Sequence, residues 1–469
     1  MNGPSLLLVV TDTTRADLLA THGSPLAAAA RQGRTYPRAT STAPWTPPAH
    51  ASMLTGLAPS EHGVWRANLF DEQGRPRPRP VQGEVAERWL PARLAAVGYR
   101  TLGVSANPWV APYFGFDHGF ERFESLRAWG PRWASRAVSA RVARRLPTPV
   151  ARRLRRRRMA RRLRDAGPDA GTGHTLETLS AWVAESDRPF FAFLNLMEAH
   201  WPYRPPAGFD GFSASEARQA LDLLARLGQF KRFTLEAYFG RAALAAEEQA
   251  ILRRLYAGEV EYLERRLAEL LERLADAGRL ERTVVVIVAD HGEQLGEHGL
   301  YGHGSSLYEP LLNVPLLVLG PKELTGRGVE GARVSTQRLY DAMLGWAGCE
   351  AVPLGGHGPV VADREGMWYQ PVVQRMPDAE PRKAELQATS WALYDGDWKY
   401  VRDELGHEAL YDLGADPAET RDAGSGGPQD AMRRRLAETL AARRPCLSTP
   451  GAGEHDAQIE SELRALGYL

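Results

Sequence analysis

The chain predicts an α/β fold: a mainly parallel, or mixed, central sheet sandwiched by helices, with a small antiparallel subdomain at the C-terminal end. Three observations carry this expectation. The runs Ser5–Val10, Pro189–Met197 and Arg282–Val288 are almost continuously apolar, with none of the alternation of a half-exposed strand; strands buried on both faces of a parallel sheet read this way. Helical periodicity separates the runs, most plainly over Ala245–Ala275, so strand and helix alternate as in βαβ units. From about Glu365 the pattern changes to short strands, the signature of an antiparallel unit.

Taken in order, the first run ends in Thr11-Asp12-Thr13-Thr14, which delivers a carboxylate to the carboxyl end of a core strand, where open α/β sheets place their ligands. In Ser41–Val64, Pro47 and Pro48 suit the first turn of a helix because they lack backbone donors. That places Thr46 at the N-cap, where a hydroxyl meets the positive end of the helix dipole and favours an anion. Leu90–Val97 reads as helix and Arg100–Ser105 as strand, with Asn68 and Asn107 as polar residues that can line a pocket. Arg127–Arg164 reads as a basic amphipathic hairpin broken at Pro147-Thr148-Pro149. The second core strand ends in Glu198-Ala199-His200-Trp201-Pro202-Tyr203, and the third in Asp290-His291-Gly292-Glu293. The long helix between them reads as core packing with no chemistry. Glu385–Ala392, Trp398–Val401 and Leu410–Leu413 are expected as strands, followed by a helix over Asp430–Arg443. This divides the chain into a catalytic domain over 1–364, with the arginine-rich insertion at 127–164, a C-terminal α+β subdomain over 365–445, and a tail over 446–469.

The stretch from Thr46 to Gly63 resembles the signature of the sulfatase family, a branch of the alkaline phosphatase superfamily, in which Cys-x-Pro-x-Arg leads into Ala-Ser-x-Leu-Thr-Gly-x-x-Pro-x-x-His-Gly. Ala51, Ser52, Leu54, Thr55, Gly56, Pro59, His62 and Gly63 match. Thr46 stands where the family has the Cys that becomes formylglycine, and His50 where it has Arg. Oxidised threonine would be a ketone, so Thr46 has to act as a hydroxyl nucleophile whose ester is cleared by water. The resemblance implies one divalent metal ion held by Asp12, Thr46, Asp290 and His291. His291 replaces the usual Asn, which leans towards Mn or Zn over Ca. It further implies that His200 protonates the leaving group, and that His303, in the place of a Lys, binds non-bridging oxygens together with His50. The implied function is a metal-dependent hydrolase of sulfate or, more readily, phosphate or phosphonate esters, acting on a small-molecule or lipid-like anionic ester. A phospho-group transferase to an alcohol and a non-catalytic anion-binding protein are the alternatives.

Composition sets the remaining bounds. With 469 residues, 43% of them hydrophobic, the chain can bury a large core. Its two cysteines offer no disulfide framework, and its N-terminus has no basic leader, so the expectation is a cytoplasmic protein. Net charge is +1, yet fifteen arginines and no acidic residue lie in Arg127–Arg164, leaving the rest of the chain acidic. That asymmetry does not fit nucleic-acid binding. It fits peripheral contact between the hairpin and an anionic membrane surface.

Overall fold

The computed structural model describes residues 3–20, 23–65, 69–71, 76–78, 83–126, 169–206, 208–209, 211–228, 230–349, 354, 358–367, 373, 382–424, 428–445 and 456–465. The arginine-rich hairpin, Asn68 and Cys446 lie outside the described residues.

An eight-stranded sheet forms the centre. Its strands in chain order are β1 (Ser5–Thr11), β2 (Arg34–Thr35), β3 (Arg100–Ser105), β4 (Arg122–Ser125), β5 (Phe190–Leu196), β6 (Thr283–Val288), β7 (Leu316–Leu319) and β8 (Gly328–Val329). They lie side by side as β8-β2-β7-β6-β1-β5-β3-β4. β7 runs against β6 and β2, while the five strands from β6 to β4 are parallel. The mixed, mainly parallel sheet expected from the apolar runs is therefore the one observed.

Burial on both faces explains why these strands do not alternate. Leu6, Leu8 and Val10 of β1 join one core with Phe191, Phe193, Val284, Val286 and Val288. Leu7 and Val9 join a second core on the opposite face with Ala192, Leu194, Val285 and Ile287. Helix α1 (Thr46–Thr55) packs Met53 and Leu54 into the first core. The 31-residue helix α2 (Ala246–Asp276) lays Leu252, Leu255, Tyr256, Leu263 and Leu267 on the second. Among the described residues no helix is long and apolar enough to cross a membrane.

A separate antiparallel sheet follows, with β9 (Val360–Arg364), β10 (Ser390–Asp395), β11 (Trp398–Asp403) and β12 (Glu408–Asp412) in sequential order, covered by helix α3 (Gln429–Ala442). Two details differ from the sequence expectation. Strand β9 belongs to this sheet although it precedes residue 365. Glu385–Gln387 is helical, within Lys383–Gln387, and strand pairing starts only at Ser390. Arg364 supports this turn: its buried guanidinium collects the carbonyls of Glu385, Leu386 and Ala388 at 2.9–3.2 Å. Carbonyls at a helix's C-terminal end have no intrahelical partner, and the cation satisfies them.

The antiparallel sheet is locked to the main domain through buried charge. Lys399 of β11 is fully buried and donates to Glu419 at 2.6 Å, to Glu309 at 3.1 Å and to the Leu307 carbonyl at 2.6 Å. Tyr394 of β10 also donates to Glu309, at 2.7 Å. Arg443, just beyond α3, spans from Asp363 to Ser60.

Candidate active site

Three parallel strands deliver the site at their carboxyl ends. Val10 of β1 is paired with Val288 of β6, so Asp12 and Asp290 each stand two residues beyond the same rung, on neighbouring strands. One ligand atom each from Asp12, Asp290 and His291 lies within 4.8 Å of the others, and all three residues are buried. The orientation of His291 is fixed by its Nδ1, which lies 2.8 Å from the Gly292 carbonyl and so carries the proton. Its Nε2 is thereby left with a lone pair, the form in which imidazole binds a metal. Gly292 is required in this turn because a Cβ there would collide with the Pro310 carbonyl.

The donor set fits a divalent cation. Asp290 Oδ1 already accepts from the backbone N–H groups of His291 at 2.8 Å and Thr13 at 3.1 Å. Asp290 Oδ2 and Asp12 Oδ1 have no hydrogen-bond partner. Burying two such carboxylates side by side is costly without a cation. Burial, with the neighbouring Asp290 adding to it, pushes Asp12 up to about 6. Burial pushes Asp290 up to about 7, against the N–H groups of His291 and Thr13 and the adjacent Thr46 hydroxyl. A cation would reverse both shifts.

Thr46 Oγ1 lies 3.3 Å from His291 Nε2. The helix begins at Thr46 itself, with extended Trp45 as its N-cap, one residue earlier than the sequence suggested. Pro47 and Pro48 have no N–H, so there is no backbone donor for a capping side chain, and none is made. The hydroxyl is thus directed to the carboxylate–imidazole cluster instead of its own helix.

The residues that match the sulfatase signature do structural work around this loop. Ser52 Oγ and His62 Nε2 are 3.1 Å apart, and His62 Nδ1 accepts from the Val64 N–H. Thr55 donates to the Ala51 carbonyl and accepts from the Leu57 N–H. Gly56 closes α1 at φ +70 against the Tyr340 ring. The signature therefore holds the shape of the loop, and the two departures from it, Thr46 and His50, face the carboxylate–imidazole cluster, at 3.3 Å from His291 Nε2 and 3.5 Å from Asp290 Oδ2.

His200 and His303 face the same region. The His303 ring is centred 4.6 Å from that of His291 and 5.3 Å from that of His200. His200 Nδ1 is 2.6 Å from the Trp201 carbonyl, so Nε2 is the nitrogen that can exchange a proton with another group. Burial lowers its pKa, with Asp12 opposing. His50 is fully buried and held down to about 3 by burial. Its Nδ1 meets the Thr46 carbonyl at 3.0 Å and its Nε2 meets Asn195 Nδ2 at 3.1 Å.

Several residues escaped the sequence reading. Glu293 is fully buried, and its Oε1 lies 3.1 Å from His303 Nδ1, setting the imidazole's orientation. It was visible as the fourth residue of Asp-His-Gly-Glu, but nothing in the spacing tied it to His303. Asn195 points from β5 to Asp12 and His50, whereas Asn107 was noted only as a pocket-lining residue. Helix α2 packs in the core as expected, and Tyr256 adds a polar contact from it to the loop after β1. Its hydroxyl donates to the Thr13 carbonyl at 2.7 Å and accepts from the Arg15 N–H at 3.0 Å. Thr13 sits at φ +56, a strained place for a β-branched residue, and Tyr256 and Asp290 together hold it there.

Residues 4–349 match the sulfatase family. Among curated relatives, arylsulfatase K of Xenopus laevis is 27% identical over 52% of this chain and 50% of its own length. Choline-sulfatase of Rhizobium meliloti (strain 1021) is 27% identical over 50% of this chain and 46% of its own. The chain thus spans about half the length of these curated relatives. Among solved structures, phosphonate monoester hydrolase of Agrobacterium radiobacter superposes with a TM-score of 0.63 at 18% identity, over 94% of this chain and 95% of its own, a likeness of fold.

Proposed function

That the chain belongs to the sulfatase family is the premise from which we propose that it is a metal-dependent ester hydrolase with Thr46 as nucleophile, cleaving phosphate or phosphonate esters in preference to sulfate esters. The observation that carries this reading is the Thr46 hydroxyl, 3.3 Å from His291 Nε2, at the cluster made by Asp12, Asp290 and His291. Asp12 Oδ1, Asp290 Oδ2, His291 Nε2 and Thr46 Oγ1 would hold the cation, with manganese or zinc favoured over calcium by the imidazole. When bound, it would supply Lewis acidity to the Thr46 hydroxyl and to a substrate oxygen.

The chain's own groups would perform the rest. Thr46 Oγ, its proton passed to water, attacks phosphorus in line, and the bond to the leaving alkoxide breaks. His200 Nε2, protonated from that water, gives the proton to the alkoxide, and the neutral ring then serves as base for the water that clears Thr46. His303, steadied by Glu293, donates to a non-bridging oxygen. Sulfate transfer through formylglycine ends by elimination from an aldehyde hydrate, a route closed to a threonine ester, so the family's usual advantage on sulfate is lost here. Histidines at 50 and 303 also replace the permanent cations of the family pattern. With two carboxylates balanced by one divalent cation, such a centre favours a monoanionic ester, a phosphodiester or a phosphonate monoester, over a dianionic phosphate monoester.

The test is turnover of matched aryl phosphate monoesters, phosphodiesters, phosphonate monoesters and sulfates by metal-stripped protein reloaded with Mn, Zn or Ca. Phosphorus esters should be cleaved faster than the sulfate. The names of the curated relatives favour a second reading, sulfate ester hydrolysis, and good turnover of the aryl sulfate with none of the phosphorus esters would put it in place of ours.

A further inference from the structure

The buried side chains behind the site form one continuous chain of hydrogen bonds. A carbonyl can only accept, so the 3.0 Å contact of His50 Nδ1 with the Thr46 carbonyl puts the proton on Nδ1. Nε2 is then an acceptor, and it receives the Asn195 side-chain N–H at 3.1 Å. The same amide lies 3.4 Å from Asp12 Oδ2, which also accepts from Asn107 Nδ2 at 2.7 Å. The Asn107 amide is oriented in turn by the Trp109 N–H on its oxygen at 2.9 Å. Asp290 Oδ2 also lies 3.5 Å from His50 Nδ1. Phe116 and Phe193 stand edge-on to the ring and fix its plane. His50, Asn107, Asn195 and Asp12 are all fully buried.

We propose that His50 is a positioning residue that, through Asn195, couples the Thr46 end of α1 to Asp12, and does not bind substrate oxygens. Both of its ring nitrogens are committed to the protein. The two asparagines engage Oδ2 of Asp12 and leave Oδ1, which has no hydrogen-bond partner, as the atom presented to a cation. Supporting groups of this kind orient a metal-ligating carboxylate, and their loss typically costs about 10–100-fold in metal affinity. The proposal rests on the reading of Asp12 as a metal ligand given above.

Manganese affinity of the metal-stripped protein, measured calorimetrically, tests it. His50→Leu and Asn195→Leu should each weaken binding by about tenfold or more. The double variant should be little worse than the weaker single one, because both cut the same chain. His50→Gln, which can donate to the Thr46 carbonyl and accept from Asn195, should restore most of the affinity. At saturating metal, the variants should lose kcat with KM nearly unchanged. Unchanged manganese affinity in both leucine variants, or a tenfold rise in KM for His50→Leu at wild-type metal affinity, would overturn the proposal. If His50→Leu does not fold, Asn195→Leu and His50→Gln still decide it. Failure of the wild-type protein to bind manganese, zinc or calcium would instead remove the metal-site reading on which the proposal stands.

Discussion

Replacing Asp290 or His291 by alanine deletes one of three side chains that converge on a single buried point, and Thr13 offers no spare carboxylate beside Asp12. Either variant should lose stoichiometric metal and at least ~100-fold in rate; full metal content with full activity would refute the assignment. The same carboxylate leaves a signature in the metal-free protein. Burial raises Asp290 from 3.8 to about 7, so between those values the folded state binds a proton that the unfolded state has released. The unfolded chain then binds fewer protons, and stability falls as pH rises through that window. Asp290→Asn removes the titration while keeping the oxygen that accepts from Thr13 and His291. It should therefore be more stable than the wild type at pH 8 in the presence of a chelator, with the gap closing by about pH 4. Chemical denaturation across pH measures this, and a gap that does not vary with pH would contradict it.

At the scale of elements, the antiparallel sheet reaches the site through Lys399. Its ammonium is buried between Glu309 and Glu419, and Glu309 follows the segment that carries His303. Removing one partner of a buried ion pair typically costs about 3–5 kcal/mol because the remaining charges are stranded. Lys399→Met should thus lower unfolding free energy by about that amount, read from the urea midpoint. It should also loosen the His303 segment, seen as faster amide exchange over 303–309. Unaltered stability would show that the antiparallel sheet is held by its apolar contacts alone. Residues 309, 399 and 419 meet in this one cluster from three distant segments, a convergence that no local spacing could disclose.

For the whole molecule, the core strands and long helices were legible because burial on both faces writes a continuous apolar run, and helix burial writes a periodic one. The end of each strand was legible as well, since Asp12, His200 and Asp290 follow those runs directly. What the sequence hid depends on contacts between distant segments. Arg364 supports the helical turn at Glu385–Gln387, Tyr256 reaches across to Thr13, and Asn195 looks like one polar residue in an apolar strand until β1 is placed beside it. The arginine-rich stretch 127–164 is a matter of charge segregation, with all fifteen of its charges of one sign in an otherwise acidic chain. We propose that it binds anionic surfaces, each basic residue contributing about 1 kcal/mol near such a lipid layer. The protein should sediment with anionic vesicles, not neutral ones, and less so as salt rises; equal binding to both would leave the stretch a packing or dimerisation element.

The enclosure of His50 between the Thr46 carbonyl and the Asn195 amide also ties these positions to one another under substitution. Thr46→Cys would restore the residue from which the family makes its aldehyde, but the signature pairs that cysteine with an arginine at position 50. Arginine has only donors and is always charged, so it would confront the Asn195 N–H where His50 Nε2 now accepts. Turning the asparagine over would relieve that clash and withdraw its N–H from Asp12. On the reading proposed above, substitutions at positions 46, 50 and 195 are therefore coupled, and a change at one of them alone leaves a polar clash at the others.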